Sequence, residues 1–346
     1  MVKMGKKNIL VTGGCGFIGS LCVLRLIENG FEPVIIDDFS NSSPRVLDRI
    51  YKLCGIRPNC YQFDLRDGEA LEKVFRENKI EAVIHFAGKK SVKESAIKPL
   101  EYYLNNVGAS LVLLEKMKKF QVKKLIFSST ATVYGNVNKS PLSEGSVLEP
   151  INNYGKSKQM VEDIISSTFT ADKKWSFVIL RYFNPVGAHP SGMMGEDPNG
   201  VPANLMPYIA KVADGKLPQL MIFGNDYPTR DGTGERDYIH VLDLVDAHIS
   251  SLSLLQNPRL EILNIGTGHG ITVMEMINAF SRVNHVNIPY KITERRSGDS
   301  AISFANVDKV RKILGWTAKR SLEDMCRDVW NWQKKNPYGY KSEKEK

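Results

Sequence analysis

Long apolar runs are absent from this chain of 346 residues. No stretch approaches the roughly 18 consecutive apolar residues of a membrane-spanning helix. The basic start, Met1 to Lys7, passes through only Ile9-Leu10-Val11 before the first glycines. That is too short for the apolar part of a secretory signal, so the cytosol is the expected compartment and no membrane partner is expected. Cysteine is scarce and unpatterned. Cys15, Cys22, Cys54, Cys60 and Cys326 are odd in number and irregular in spacing, with no CxxC pair or Cys/His cluster. Reduced thiols are expected, and no metal site. Internal repeats are also missing, and the only biased segment is the tail Lys341–Lys346, expected to fray. The formal charge is +9, but the basic residues are scattered among acids. The densest group, Lys116, Lys118, Lys119, Lys123 and Lys124, reads as a solvated helix end rather than an RNA surface, so no nucleic-acid partner is expected. A positive field suits an anionic substrate.

What is present is ordinary globular material: 42% hydrophobic and 25% charged residues, enough for a large core. In the first half, apolar β-like runs alternate with helical patterns. The runs are Asn8–Thr12, Pro33–Asp37, Cys60–Phe63, Ala82–Phe86, Lys124–Ser128 and Phe177–Arg181. The helical patterns include Phe17–Asn29, Gly68–Asn78, Pro99–Phe120 and Tyr154–Thr170. This rhythm predicts a parallel sheet covered on both faces. After about Asn184 the pattern breaks up, and Gly and Pro crowd Pro185–Pro202. A smaller C-terminal part closing over the sheet is expected, with residues 1–184 mainly one domain and 185–346 mainly the other, and the chain crossing back between them.

The first strand ends in Thr12-Gly13-Gly14-Cys15-Gly16-Phe17-Ile18-Gly19. Glycines 13, 16 and 19 fit a tight turn, a close approach of pyrophosphate to backbone, and close helix-on-strand packing. The helix that follows aims its N-terminus at the phosphates. Placed between a strand and a helix, the pattern points to a dinucleotide and to an α/β fold with a Rossmann-type doubly wound parallel sheet. Asp37, ending the second strand, can bond a ribose 2′-hydroxyl and would repel a 2′-phosphate, so NAD is expected rather than NADP. Asp64 and Leu65 follow the third strand and are placed to meet the adenine. His85 at the end of the fourth strand reads as a packed histidine rather than a base.

Tyr154 and Lys158 stand at i and i+4, on one face of a helix. A free tyrosine has a pKa of about 10, too high for a base at neutral pH. A nearby ammonium and a cationic nicotinamide both favour the tyrosinate, which can then take a proton from a substrate hydroxyl. Such a pair is common on helix surfaces; its place after the fifth strand of a dinucleotide fold gives it weight. That strand ends in Ser128-Ser129-Thr130, and the Thr130 hydroxyl is the candidate bridge between substrate and tyrosine.

Together these residues resemble the extended short-chain dehydrogenase/reductase family, and within it the UDP-sugar 4-epimerases, over nearly the whole chain. The most specific segments are His85–Gly88, Glu101–Val107, Arg181–Ala188, Asn204–Tyr208 and Ile222–His240. The resemblance implies an NAD-dependent enzyme that inverts C4 of UDP-glucose and UDP-galactose through a 4-keto sugar, with Thr130, Tyr154 and Lys158 in catalysis. Most members carry Ser where this chain has Thr130, and Lys89 stands where an apolar residue is common. By resemblance Phe17, Ile18, Asn41, Ser42, Phe86, Ala87, Gly88, Lys90, Asn105 and Tyr182 line the cofactor. Asn184, Asn204, Leu205, Met221, Phe223, Arg236, Arg296, Asp299 and Ser303 line the substrate. Two guanidiniums suit a diphosphate, and the Asp299 carboxylate can accept both hydroxyls of a uridine ribose. Ser303 stands where a tyrosine accompanies hexose-only members; a small residue implies room for the N-acetyl group of UDP-GlcNAc and UDP-GalNAc, unless Phe304 fills the space. A homodimer through Pro99–Phe120 and Tyr154–Thr170 is also implied, although Leu111, Val112, Leu114 and Met117 would equally serve a core. Two alternatives stay in view. Related dehydratases and decarboxylases carry acids just after the threonine, where this chain has Ala131 and Thr132. A non-catalytic NAD-binding scaffold would need no Tyr/Lys pair.

Overall fold

The computed structural model describes residues 7–197, 202, 204–296 and 298–341. Two compact units emerge. The first comprises Met1–Val133, Pro150–Arg181 and Val245–Leu263; the second comprises Tyr134–Glu149, Tyr182–Leu244 and Asn264–Lys346.

In chain order the elements begin β1 (Asn8–Thr12), α1 (Phe17–Glu28), β2 (Glu32–Asp37), α2 (Arg45–Cys54), β3 (Asn59–Gln62), α3 (Gly68–Glu77) and β4 (Ile80–His85). There follow α4 (Val92–Ile97), α5 (Pro99–Tyr102), a π-helical turn at Tyr103–Gly108, α6 (Ala109–Lys119), β5 (Lys124–Thr130), α7 (Asn153–Ala171) and β6 (Ser176–Tyr182). The remainder is β7 (Asn184–Val186), α8 (Leu205–Ala213), β8 (Leu220–Phe223), β9 (Glu235–Arg236), β10 (Tyr238–His240), α9 (Val241–Ser251) and β11 (Arg259–Ile265). Last come β12 (Ile271–Thr272), α10 (Val273–Asn284), β13 (Tyr290–Thr293), β14 (Ile302–Ser303), α11 (Asp308–Leu314) and α12 (Leu322–Lys335).

The expected sheet is present, with seven strands in the order β11-β6-β5-β4-β1-β2-β3. The β1–β2, β1–β4, β2–β3 and β4–β5 pairs are all parallel. β1 and β5 are buried along almost their whole length, which is why they read as continuous apolar runs instead of alternating ones. Leu10, Val34, Val83, Leu125 and Ile179 from the sheet pack with Leu71, Leu113, Met117 and Val161 from α3, α6 and α7. The second unit has its own core, in which Met206, Ile209, Ile222, Phe280 and Val329 meet. Its sheets are small: β10 with β7, β12 with β9 and β14, and β13 with β8. Among the described residues no helix is long and apolar enough to cross a membrane.

The predicted helix Pro99–Phe120 is not uniform. It widens into a π turn at Tyr103–Gly108. The wide turn lets two consecutive side chains, Asn105 and Asn106, each reach the Lys89 amide with their Oδ1 atoms, at 3.2 and 2.8 Å. In a regular α-helix neighbouring side chains diverge by about 100°, and π turns of this kind recur at functional sites.

Candidate active site

The turn after β1 is built for close contact. Gly13 has φ 69°, and a Cβ on it would stand 2.8 Å from the Ala87 amide nitrogen. A Cβ on Gly19 would overlap the Gly13 carbonyl. α1 starts at Gly16 with no side-chain cap and no acidic residue in its first turn, so its amides remain available to an anion. Asp37 is buried; its Oδ2 accepts from the Cys15 amide at 2.8 Å, and its Oδ1 from the Phe39 amide and the Ser42 hydroxyl at 3.0 and 2.7 Å. A carboxylate offers about four acceptor sites, which leaves one for a ribose hydroxyl. This cradle, closed to any larger side chain and open to a phosphate, fits NAD. Asp64 is bound to Arg66, whose guanidinium holds its carboxyl below the usual range, while Leu65 beside it is buried. Asn41, Gly88 and Lys90 are exposed, and Tyr182 is half-buried.

His85 is buried with both ring nitrogens beside hydroxyl groups. Its Nδ1 is 2.7 Å from the Thr12 hydroxyl and its Nε2 is 2.9 Å from the Ser110 hydroxyl. Burial pushes its pKa down to about 3, with Lys158 adding to the effect. Phe86, next along, lies against the ring of His248, with centroids 4.8 Å apart.

Asn152 caps α7 by accepting from the Gly155 amide at 2.8 Å. Gly155 lets the helix start close to the end of β5: a Cβ there would stand 3.0 Å from the Thr132 carbonyl oxygen. Tyr154 and Lys158 are both buried on this helix. The Thr130 hydroxyl, at the end of β5, donates to the Thr132 hydroxyl at 3.0 Å and lies close enough to Tyr154 to favour its ionised form. The Lys158 ammonium donates to the Ser128 carbonyl at 3.0 Å and lies 4.9 Å from the centre of the Phe127 ring.

Burial dominates the electrostatics of the pair. Burial raises Tyr154 to about 12, opposed only by the nearby Thr130 hydroxyl. Burial lowers Lys158 to about 8, opposed by Glu162. The lysine therefore does not by itself deliver a tyrosinate; a further positive charge is needed.

Several supporting residues escaped the sequence reading. Glu162, one turn beyond Lys158, pairs with Arg181 of β6 (Nη2 to Oε2 2.5 Å) and accepts from the Ser129 hydroxyl. That network ties α7 to β5 and β6. Asn106 donates to the Lys89 carbonyl and the Ser157 hydroxyl, both at 3.0 Å. The spacing Tyr154, Lys158, Glu162 at successive helical turns was the available signal.

The second unit holds the predicted substrate side chains. Asn204 is the residue before α8 and donates to Glu196 at 3.1 Å; Leu205 opens the helix. Met221 and Phe223 lie on β8. β9 pairs with β14 so that Arg236 stands opposite Ser303, and Arg236 donates to the Glu235 carbonyl at 2.9 Å. Arg296 grips Asp299 with two bonds of 3.1 Å, and its guanidinium is 5.4 Å from the centre of the Phe223 ring. Asn184 is exposed on β7. Asp237, which the sequence reading passed over, is fully buried. It accepts from the amides of Thr267, Gly268 and Ala305 and from the Thr267 hydroxyl, fixing the strand that carries Arg236.

A family profile described as GDP-mannose 4,6 dehydratase matches residues 10–329. The UDP-glucose 4-epimerase of Bacillus subtilis (strain 168) is 52% identical over 335 residues, 96% of this chain and 99% of that protein. UDP-glucose 4-epimerase 2 of Arabidopsis thaliana is 50% identical over 341 residues, 97% of each. A crystal structure of UDP-glucose 4-epimerase from Bifidobacterium longum in complex with NAD+ and UDP superposes with a TM-score of 0.93 at 47% identity, covering 96% of this chain and 100% of that one.

Proposed function

Because the chain belongs to the UDP-glucose 4-epimerase family, within the extended short-chain dehydrogenase/reductases, we propose that it interconverts UDP-glucose and UDP-galactose by inverting C4 through a 4-keto sugar. The observation that carries this reading is the buried set Thr130, Tyr154 and Lys158, which the end of β5 and the start of α7 bring together. Gly13, Gly16, Gly19, Asp37, Phe86 and Lys158 would hold NAD. When bound, NAD supplies the acceptor and donor of the C4 hydride, and a positive charge that favours ionised Tyr154. Tyr154 takes the O4 proton, directly or through Thr130, and returns it after the sugar has turned about its link to the diphosphate. Arg236 and Arg296 hold that diphosphate, and Asp299 accepts from the ribose hydroxyls. Residues 1–184 mainly serve the dinucleotide and 185–346 mainly the UDP-sugar.

The dehydratase chemistry named by the family profile is disfavoured at two positions. Acids are needed just after the threonine, and Ala131 and Thr132 supply none. Incubation of the purified protein with UDP-galactose, without added cofactor, tests the proposal. UDP-glucose should appear, and acid should release NAD from the protein. A non-catalytic scaffold would give no UDP-glucose.

The substrate range extends to UDP-GlcNAc and UDP-GalNAc on this reading. Ser303 is small, half-buried and level with Arg236, and a tyrosine ring in its place would overlap an acetamido group at a cost packed sites do not absorb. Ser303→Tyr should abolish the N-acetyl activity and spare the hexose activity. A wild-type protein that leaves UDP-GalNAc untouched would end this part.

The protein acts as a homodimer on the same reading. Leu114 and Met117 are core, but Ile97, Leu100, Leu104 and Leu111 are 70, 76, 60 and 49% exposed, an apolar set on the α4–α6 stretch that is large for a free surface. Leu100→Lys with Leu104→Lys should give monomers by light scattering; an unchanged dimer would refute this face.

A further inference from the structure

We propose that Cys15 and Cys60 are a reversible dithiol–disulfide pair whose closure deforms the dinucleotide turn. Their sulfur atoms lie 4.0 Å apart. Cys15 sits inside the turn, between Gly13 and Gly16, and its amide donates to Asp37. Cys60 lies two strands away on β3, paired with Ile35 of β2. The turn leans over β2 to reach it: a Cβ on Gly14 would stand 2.8 Å from the Ile35 side chain. The two thiols therefore face each other beside the turn on which the adenosine half of NAD is placed, and this consequence rests on that placement.

A disulfide bond is about 2.05 Å long, so closure draws the sulfurs together by roughly 2 Å. β3 is the edge strand, paired only with β2, and the movement is shared between it and Cys15. That residue has little slack, because its amide is tied to Asp37 and the Gly13 carbonyl is packed against Gly19. Pulling it shifts the amides that would face the pyrophosphate and the carboxylate that would take the ribose.

The chemistry balances with a small-molecule disulfide as oxidant. Cys60 is half-buried and Cys15 buried, so Cys60 reacts first. Its thiolate attacks one sulfur of the small disulfide and expels the other as a thiolate. Cys15 then gives up its proton to solvent, attacks the Cys60 sulfur and expels the second small thiolate. Two protein thiols are oxidised and one small disulfide is reduced to two thiols.

The test uses the full chain as purified, treated with oxidised glutathione at neutral pH. Intact mass should fall by two hydrogens, and peptide mapping without reduction should join Cys15 to Cys60. Bound NAD should leave the protein, and dithiothreitol with fresh NAD should restore the loaded state. Cys60→Ser should load NAD and epimerise like the wild type, yet keep its NAD under the same treatment. A lasting glutathione adduct on Cys60, a cross-link through Cys54 or Cys22, or a Cys15–Cys60 cross-link that leaves NAD bound would each overturn the proposal. The two readings separate: a protein that carries NAD but forms no cross-link defeats the thiol pair alone, whereas a cross-link in a protein that never carries NAD upholds the pair and defeats the dinucleotide placement.

Discussion

The two units hold their candidate site side chains in different ways. In the first, Thr130, Tyr154, Lys158 and their support Glu162 are all nearly out of solvent, and Thr130, Lys158 and Glu162 are already bonded to protein. In the second, the Arg296 and Asp299 side chains are 57 and 24% exposed and bonded to each other, and Phe223 is 41% exposed. Proton transfer demands geometry fixed before the substrate arrives. Anion recognition demands charges that can change partner. An exposed ion pair contributes only about 0–1 kcal/mol, so Arg296 gives up Asp299 at little cost when a diphosphate offers itself. Breaking a buried pair such as Glu162–Arg181 costs about 3–5 kcal/mol, and that pair stays shut throughout.

The largest effects should come from breaking the fixed side of this contrast. Tyr154→Phe is expected to lower kcat by at least ~100-fold, the usual scale of a lost general base. Thr130→Ser should remain active, while Thr130→Val should be much weaker; a normal rate for Thr130→Val would show that the proton does not pass through this hydroxyl.

On the exchangeable side, Arg236→Ala and Arg296→Ala should each weaken inhibition by UDP roughly tenfold or more, as for a charged hydrogen bond of about 1.5–3 kcal/mol. NAD content should not change. Unaltered UDP inhibition in both variants would remove them from the diphosphate site.

The pH profile sharpens the contrast further. Lys158 titrates near 8 because it is buried, so its charge is lost as pH rises through that value. The alkaline limb of kcat/KM should fall there and should disappear in Lys158→Arg, whose guanidinium keeps its proton. A limb that survives the substitution belongs to another group.

The smallest effect is on stability. His85 is held at about 3 when folded and titrates near 6.5 when unfolded. Between those values only the unfolded chain gains the proton, so this contribution is present above about pH 6.5 and is lost as pH falls toward 3. Urea midpoints at about pH 5 and about pH 7 should differ less in His85→Gln than in the wild type. An equal difference would mean that another group sets the acid sensitivity.

The legibility of the chain follows the same division. β1 was read to the residue and β2 and β5 within two, because buried parallel strands announce themselves as apolar runs. The turn at Gly13–Gly19 and the Tyr154/Lys158 pair were legible because their chemistry fixes residue type at fixed spacing. β11 was missed: four of its seven residues are only half-buried, and it belongs to a sheet whose other strands come much earlier in the chain. The π turn was hidden because Asn105 and Asn106 give no local sign of the amide they share. Asp237 was passed over because its four partners lie 30 or more residues away in sequence. The burial that raises Tyr154 was not legible either: helical spacing reports that a lysine is near, not how deep the pair lies.

The central claim is that the C4 hydrogen leaves and returns to the same carbon without exchanging with water. UDP-galactose labelled with deuterium at C4, incubated in ordinary water with the purified protein and no added NAD, tests it most directly. The account predicts UDP-glucose that keeps the deuterium at C4. Product in which that position carries hydrogen from water would contradict it.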